Sequence, residues 1–402
     1  MTPYQICEEN ESLNRRRIRS RSIGLAVLAV LLLVGVSGCA GGAVQTTSWT
    51  GLTVVEDKLY VADLQQVVVL NADDAEVVWS FPGSEEEGGG MWLSQEELAK
   101  STRGAVFYVA PAVGDGYVIV ASQAPSTSML GQPRNIIWGL NPETGRWWHF
   151  DDARGQYIEG GAIGGGLFVI GNSDNNVYAL DVESGLLKWV FETGHRVWAT
   201  PLIVSDTVYI GSMDHHLYAL ELESGRVKWD FQAAGAFAGT PALGDGTLYV
   251  GAFDDQFYAI DAGTGSERWR FKGQNWFWGS PVVHDGVVYA ADVAGVVYAL
   301  DAKTGAEVWR QAVESPVRAG LALAENGSQL FVGSQDGTLR ALATADGFVM
   351  WSRESDGQVL STPVVDEGIL YELLLYSSQR LRALHVENGR DVWVYPPVVE
   401  EE

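Results

Sequence analysis

Few side chains in this 402-residue sequence are spaced to carry out covalent chemistry. His215 and His216 are adjacent in SMDHHLYAL. Neighbours on a strand end point apart, so the pair reads as a solvated turn and not as a metal site. Asp174, Asp214, Asp254 and Asp336 recur at one place in successive copies of a pattern. That is the signature of carboxylates bonding backbone N–H groups in turns, not of acids converging on a substrate. The only two cysteines, Cys7 and Cys39, lie near the N-terminus. No catalytic residue, metal ligand or cofactor is expected. The remaining candidates have binding chemistry: Arg196 with Trp198, Trp276 with Trp278, Arg318, and Gln358.

The elements that position these residues come from a repeat. VVYALDAKTGAEVW, ending at Trp309, has close copies ending at Trp189, Trp229 and Trp269, and weaker ones at Trp79, Trp148, Trp351 and Trp393. The spacings are 69, 41, 40, 40, 40, 42 and 42 residues, so the chain is a repeat architecture. One period, ATPLIVSDTVYIGSMDHHLYALELESGRVKW, holds four short runs rich in Val, Ile, Tyr and Leu, separated by SD, MDHH and ESGR. These read as strands and turns, with the glycine of TG or SG at a position that needs positive φ. A four-stranded meander cannot bury both apolar faces alone, so neighbouring units must stack. The predicted fold is all-β, an eight-bladed propeller of four-stranded antiparallel blades. The eight tryptophans are expected to fill the wedges between blades, each truncation costing about 3–5 kcal/mol.

The pattern VSDTVYIG, LGDGTLYVG or VHDGVVYA, followed by YAL or YAI and TGxxxW, resembles the repeat of the PQQ-like (pyrroloquinoline-quinone repeat) β-propeller superfamily over residues 48 to 395. The resemblance implies one of two activities. One is that of quinone-dependent dehydrogenases, which typically carry adjacent cysteines beside the quinone and much longer chains. Both features are missing here. The other is that of non-enzymatic lipoproteins similar to BamB, a component of outer-membrane β-barrel assembly.

The N-terminal RRRIRSRSIGLAVLAVLLLVGVSGCAGG has five arginines and then an uncharged run from Ile23 to Gly38, the layout of a signal peptide. Val36, Ser37, Gly38 and Cys39 resemble a bacterial lipobox. Residues 1–38 are therefore expected to be removed and Cys39 lipidated. An uncleaved anchor is the alternative, although sixteen uncharged residues fall short of the roughly 20 a bilayer needs. Residues 39–48 form a tether, 49–396 the propeller and 397–402 an acidic tail. Ala40 avoids the aspartate that retains lipoproteins at the inner membrane, so the expected address is the periplasmic side of the outer membrane. In an organism without one it is the outer face of the cytoplasmic membrane. The whole chain carries −25; five arginines against three glutamates leave the leader at +2, so the remainder carries −27. Such a chain does not bind nucleic acid or an anionic membrane surface by charge, and a charged partner should be basic.

Blades four to eight share a register through Pro201, Pro241, Pro281, Leu321 and Pro363. Four residues earlier stand Val197, Phe237, Phe277, Val317 and Val359, all apolar; on either side of these stand residues varied in size and charge. Strand alternation predicts that the varied positions line the mouth of the central channel. There they form a partner-binding face of Arg196, Trp198, Trp276, Trp278, Arg318 and Gln358. Two inserts break the period. Residues 83–104 follow the outer strand of blade one and include Glu85, Glu86, Glu87, Trp92 and a short helix with Ser94 as cap; residues 124–135 in blade two include Met129 and Arg134. In a meander the connections D-to-A and B-to-C leave the same face, and long loops there suit recognition. The reading is a monomeric scaffold or adaptor for protein–protein interaction, tethered to the membrane by lipid. A glycan- or peptide-sensing module and a quinone-dependent oxidoreductase are the alternatives.

Overall fold

The computed structural model describes residues 51–83, 92, 94–126 and 131–397. Eight antiparallel sheets follow one another along the chain. With strands lettered A to D in chain order, blade four is Leu202–Val204, Thr207–Gly211, His216–Glu221 and Val227–Gln232, and the A strands of successive blades pack on one another around the axis. Seven blades have four strands. Blade two has five: Val106–Phe107 joins Ala112–Gly114 along the inner edge of the long strand Tyr117–Ala124. The extra strand departs from the predicted four. It arises because strands B and C of blade two run to eight residues and leave edge N–H and C=O groups that need a partner.

The repeated sequence has a physical explanation in the contact between blades. The indole N–H groups of Trp189, Trp229, Trp269 and Trp309 donate to the carbonyls of Leu222, Ala262, Ala302 and Thr344 in the next blade, at 2.8–3.0 Å. Each ring lies over the glycine of that blade's C–D turn: a Cβ on Gly225 or Gly265 would sit 2.6 or 2.7 Å from the indole of Trp189 or Trp229. Asp261 and Asp301 shape the same turn by accepting from Thr264 and Thr304. D-x-x-T-G is thus a socket and the tryptophan its plug. Between the Ala and Leu of YAL the C–D register shifts by one residue, as at Ala219/Leu220 and Ala299/Leu300, which bends the strand towards the turn.

The ring closes without strand exchange. The Trp393 indole N–H donates to Ala72 O at 2.9 Å, Arg380 pairs with Asp63, and Leu52, Leu59, Val61 and Leu70 share a core with Tyr371, Leu373 and Leu381. Trp148 and Trp351 dock in the common way, on Val182 O and Val386 O. Trp79 packs edge-on against Trp92 at 5.2 Å and makes no such turn contact among the described residues.

Candidate partner-binding face and channel mouth

The B–C turn of each regular blade is tied to the D–A connection that precedes it. Met213, Phe253 and Val293 donate their backbone N–H to Arg196 O, Ala236 O and Trp276 O. The turn carboxylates complete the link: Asp214 accepts from Gly194 N–H at 2.7 Å and Asp254 from Ala234 and Gly235. The same carboxylates accept Tyr218 and Tyr258 hydroxyls at 2.8 and 2.7 Å. Burial first, and then these aspartates, push both phenols above their ordinary pKa. The recurrent acids therefore hold D–A and B–C segments on one face, which is turn chemistry. His216 pairs with Asp230 at 2.9 Å, and among the described residues no three His, Cys, Asp or Glu are grouped to hold a metal ion.

At the channel the two varied positions have different fates. Trp198, Ala238, Trp278, Arg318 and Leu360 turn inward, and all but Trp198 line a central cavity to which every blade contributes. Trp198 joins them by stacking on Trp278, at 6.3 Å and 29°; Ala238 between them is small enough to let the indoles meet. Arg318 lies over Trp278 with its guanidinium carbon 5.4 Å from the ring centre. Arg196, Ala236, Trp276 and Gln358 sit instead against their B–C turns. Gln358 bridges Leu375 through backbone in both directions, and the Arg196 side chain is exposed. Arg196 and Gln358 therefore do not line the cavity itself. The connection is irregular backbone, not strand, so period-two alternation does not govern it.

Trp276 rejoins the channel tier through Phe253, which stacks on it at 5.1 Å and 15° and touches Trp278 at 5.0 Å. Phe253 was not among the expected residues. Its signal was available, since Met213, Phe253, Val293 and Gln335 vary at one turn position just as the neighbouring D–A residues do. Glu159 was missed too: it occupies the position of Ala199, Gly239, Gly279, Ala319 and Ser361, one residue beyond the varied position that was read, where the other blades carry small residues. It faces the cavity, and burial pushes its carboxyl up to about 7.

The inserts meet at their described ends. Arg134 bonds Asp151 and Ser101 O, both at 3.4 Å, and Gly104 lies against Pro125. The helix spans Gln95–Ser101. Ser94 occupies the cap position with φ 57° and makes no side-chain cap bond, so the expected capping interaction is replaced by a left-handed entry. Trp92, expected on the exposed insert, is only 2% accessible. Its indole donates to Ser80 O at 3.0 Å, edge-on to Trp79 and Phe81. This ring joins the core shared by blades one and two. Cys39, Glu85, Glu86, Glu87 and Met129, with the leader and tether, lie outside the described residues.

A family model described as outer membrane protein assembly factor BamB matches residues 133–237, 229–305 and 293–400. The chain belongs to that family. A curated outer membrane protein assembly factor BamB from Shewanella oneidensis is 38% identical over 77 residues, 19% of this chain and 18% of the relative. The match thus spans under a fifth of the relative's length. Among solved structures, BamB from Moraxella catarrhalis superposes with TM-score 0.64 at 18% identity, covering 80% of this chain and 92% of that one. The computationally designed Ika8 protein also gives 0.64, at 15% identity, covering 84% and 96%. At such identities these two share the fold. The family match begins at the C strand of blade two, so blade one, the helical insert and the extra strand lie outside it.

Proposed function

We propose that this chain is an exported lipoprotein, acylated at Cys39, whose propeller is a non-catalytic scaffold for outer-membrane protein assembly. It binds protein through the face that carries the D–A and B–C loops. One observation carries the reading: Trp276, Phe253, Trp278 and Trp198 form a continuous stack from that face into the channel, with Arg318 on Trp278 and Arg196 exposed beside it. Aromatic rings and arginine in a rigid frame are the composition of interface hot spots. Membership of the assembly-factor family supplies the setting. The acidic mature chain favours a basic docking surface on the partner.

The test is photocrosslinking in native membranes from a benzoylphenylalanine placed at Trp276, with a second probe at Val308 on an outer strand as control. Crosslinks from the first position to an outer-membrane assembly protein, lost in Arg196→Ala/Phe253→Ala, are the expected outcome. Equal crosslinking from both positions would remove the assignment of the face. Cys39→Ser should release the chain from the membrane and abolish incorporation of labelled palmitate; retention of label would refute the lipoprotein reading.

A further inference from the structure

The channel beneath the aromatic stack carries polar groups on opposite sides. The cavity measures about 170 Å³ and is lined by residues of all eight blades, room for a molecule of several heavy atoms and not for a peptide strand. Arg318 enters from blade seven and forms no ion pair with any described residue; its Nε is buried without a hydrogen-bond partner. The Trp198 Nε1–H is also buried and unpartnered, but that ring does not line the cavity. Ser280 and Thr362 have oxygens that accept the backbone N–H of Thr240 and Gly320 at 3.2 and 3.0 Å, which leaves each hydroxyl proton free to donate inward. Ser280, Arg318 and Thr362, from the successive blades six, seven and eight, therefore gather donors on one side of the channel.

Glu159 stands on the other side. Blade three is four blades from blade seven in a ring of eight, so it faces Arg318 across the axis, and its carboxyl has no hydrogen-bond or ion-pair partner among the described residues. Leaving a buried donor such as Arg318 Nε unpaired costs free energy, and where blade three carries Glu159 blades four to eight carry only the small Ala199, Gly239, Gly279, Ala319 and Ser361. Separation of donors from a lone acceptor matches a molecule with opposite charge at its two ends. The flanking walls, Leu52, Ala110, Ala238 and Leu360, suit a short apolar link.

We propose that the central channel is a binding site for a small aminocarboxylate, its carboxylate held by Arg318, Ser280 and Thr362 and its ammonium by Glu159. Trp278 holds the guanidinium in place by stacking beneath it. The site adjoins the docking face, sharing Trp278 and Arg318 with it, while Arg196 and Trp276 do not line the cavity.

Calorimetric titration of the intact lipidated protein in detergent tests this, using 6-aminohexanoate, 4-aminobutanoate, hexanoate and hexylamine. The aminocarboxylates should bind saturably at one site and quench tryptophan fluorescence, with hexanoate weaker and hexylamine weakest. Arg318→Gln should weaken the aminocarboxylates about 10- to 100-fold, the usual worth of charged hydrogen bonds. Glu159→Gln should leave hexanoate affinity intact and erase the preference for the amine-bearing probes. Each variant is first checked for parental thermal unfolding; if Arg318→Gln does not fold, Ala238→Leu, which fills the cavity, takes its place and should abolish binding. No saturable binding by any probe at 10 mM (about −3 kcal/mol), or affinity indifferent to Arg318 and to cavity filling, overturns the proposal.

Discussion

Blades three to six and blades eight to two solve the same packing problem differently. In the first group each tryptophan drops onto a glycine turn in the next blade and donates to one carbonyl, and the contact recurs with almost unchanged geometry. In the second group that contact is supplemented or replaced. Trp92, Phe81, Phe107 and Trp138 form an aromatic cluster between blades one and two, and Glu372 with Arg382 occupies positions where blades three to six carry an aliphatic residue and a tyrosine. Copies of a plug and socket make a ring that tolerates variation on its face. The irregular sector needs its own unrepeated core, and that is where the inserts emerge.

The largest effect expected is from Trp138→Ala. The ring is fully buried and its indole donates to Ser122 at 2.7 Å, so chemical denaturation should report a loss of about 3–5 kcal/mol. Trp229→Ala, on a partly exposed plug, should cost less. A reversed order would show that the repeat contact, and not the irregular core, dominates stability.

Glu372 sharpens the comparison through pH. It is fully buried, neither carboxyl oxygen has a hydrogen-bond partner, and burial pushes its pKa up to about 7 against the opposing pull of Arg382 and Arg353. The folded form therefore holds a proton that the unfolded chain releases near pH 4.5. Stability from this group is fully present below that value, falls as pH rises towards 7, and is flat above. The loss is on the order of 3 kcal/mol. Glu372→Gln should flatten the profile between pH 5 and 7 in urea titrations, and an unchanged slope would place the carboxylate in its charged form.

A pair of glycine substitutions separates packing from backbone conformation. Gly265 and Gly246 have φ of +73° and +68°, but a Cβ on the first would meet Trp229 at 2.7 Å while the second has nothing within 4 Å. Gly246→Ala should cost about 1–2 kcal/mol for the left-handed backbone, and Gly265→Ala roughly 1–3 kcal/mol more for overpacking. Equal costs, measured by thermal unfolding, would mean that the socket does not depend on close approach. The smallest effect belongs to the outer strands: Arg270→Ala removes an exposed pair with Glu267 and should shift stability by under about 1 kcal/mol.

Much of this was readable in the chain. Eight Trp marks, the TG turns and the run of short β-rich segments implied the propeller, because every copy repeats one local conflict between two apolar faces and one sheet. Trp278 and Arg318 stood out for the opposite reason, as residues that vary where the repeat does not constrain them. Phe253 and Glu159 were not found: one sits in a turn treated as structural, the other at a position where the neighbouring blades carry only small residues. Trp92 was misplaced because an insert outside the period gives no pattern from which burial can be read.

The sequence by itself determined the number of blades, the strands of all but blade two and the identity of the plug in seven wedges, since these depend on periods and on turn chemistry within about 40 residues. Tertiary structure alone decided which varied residues meet. Trp198, Trp278, Arg318 and Glu159 come from four blades, and only closure of the ring brings side chains so far apart in sequence to one axis.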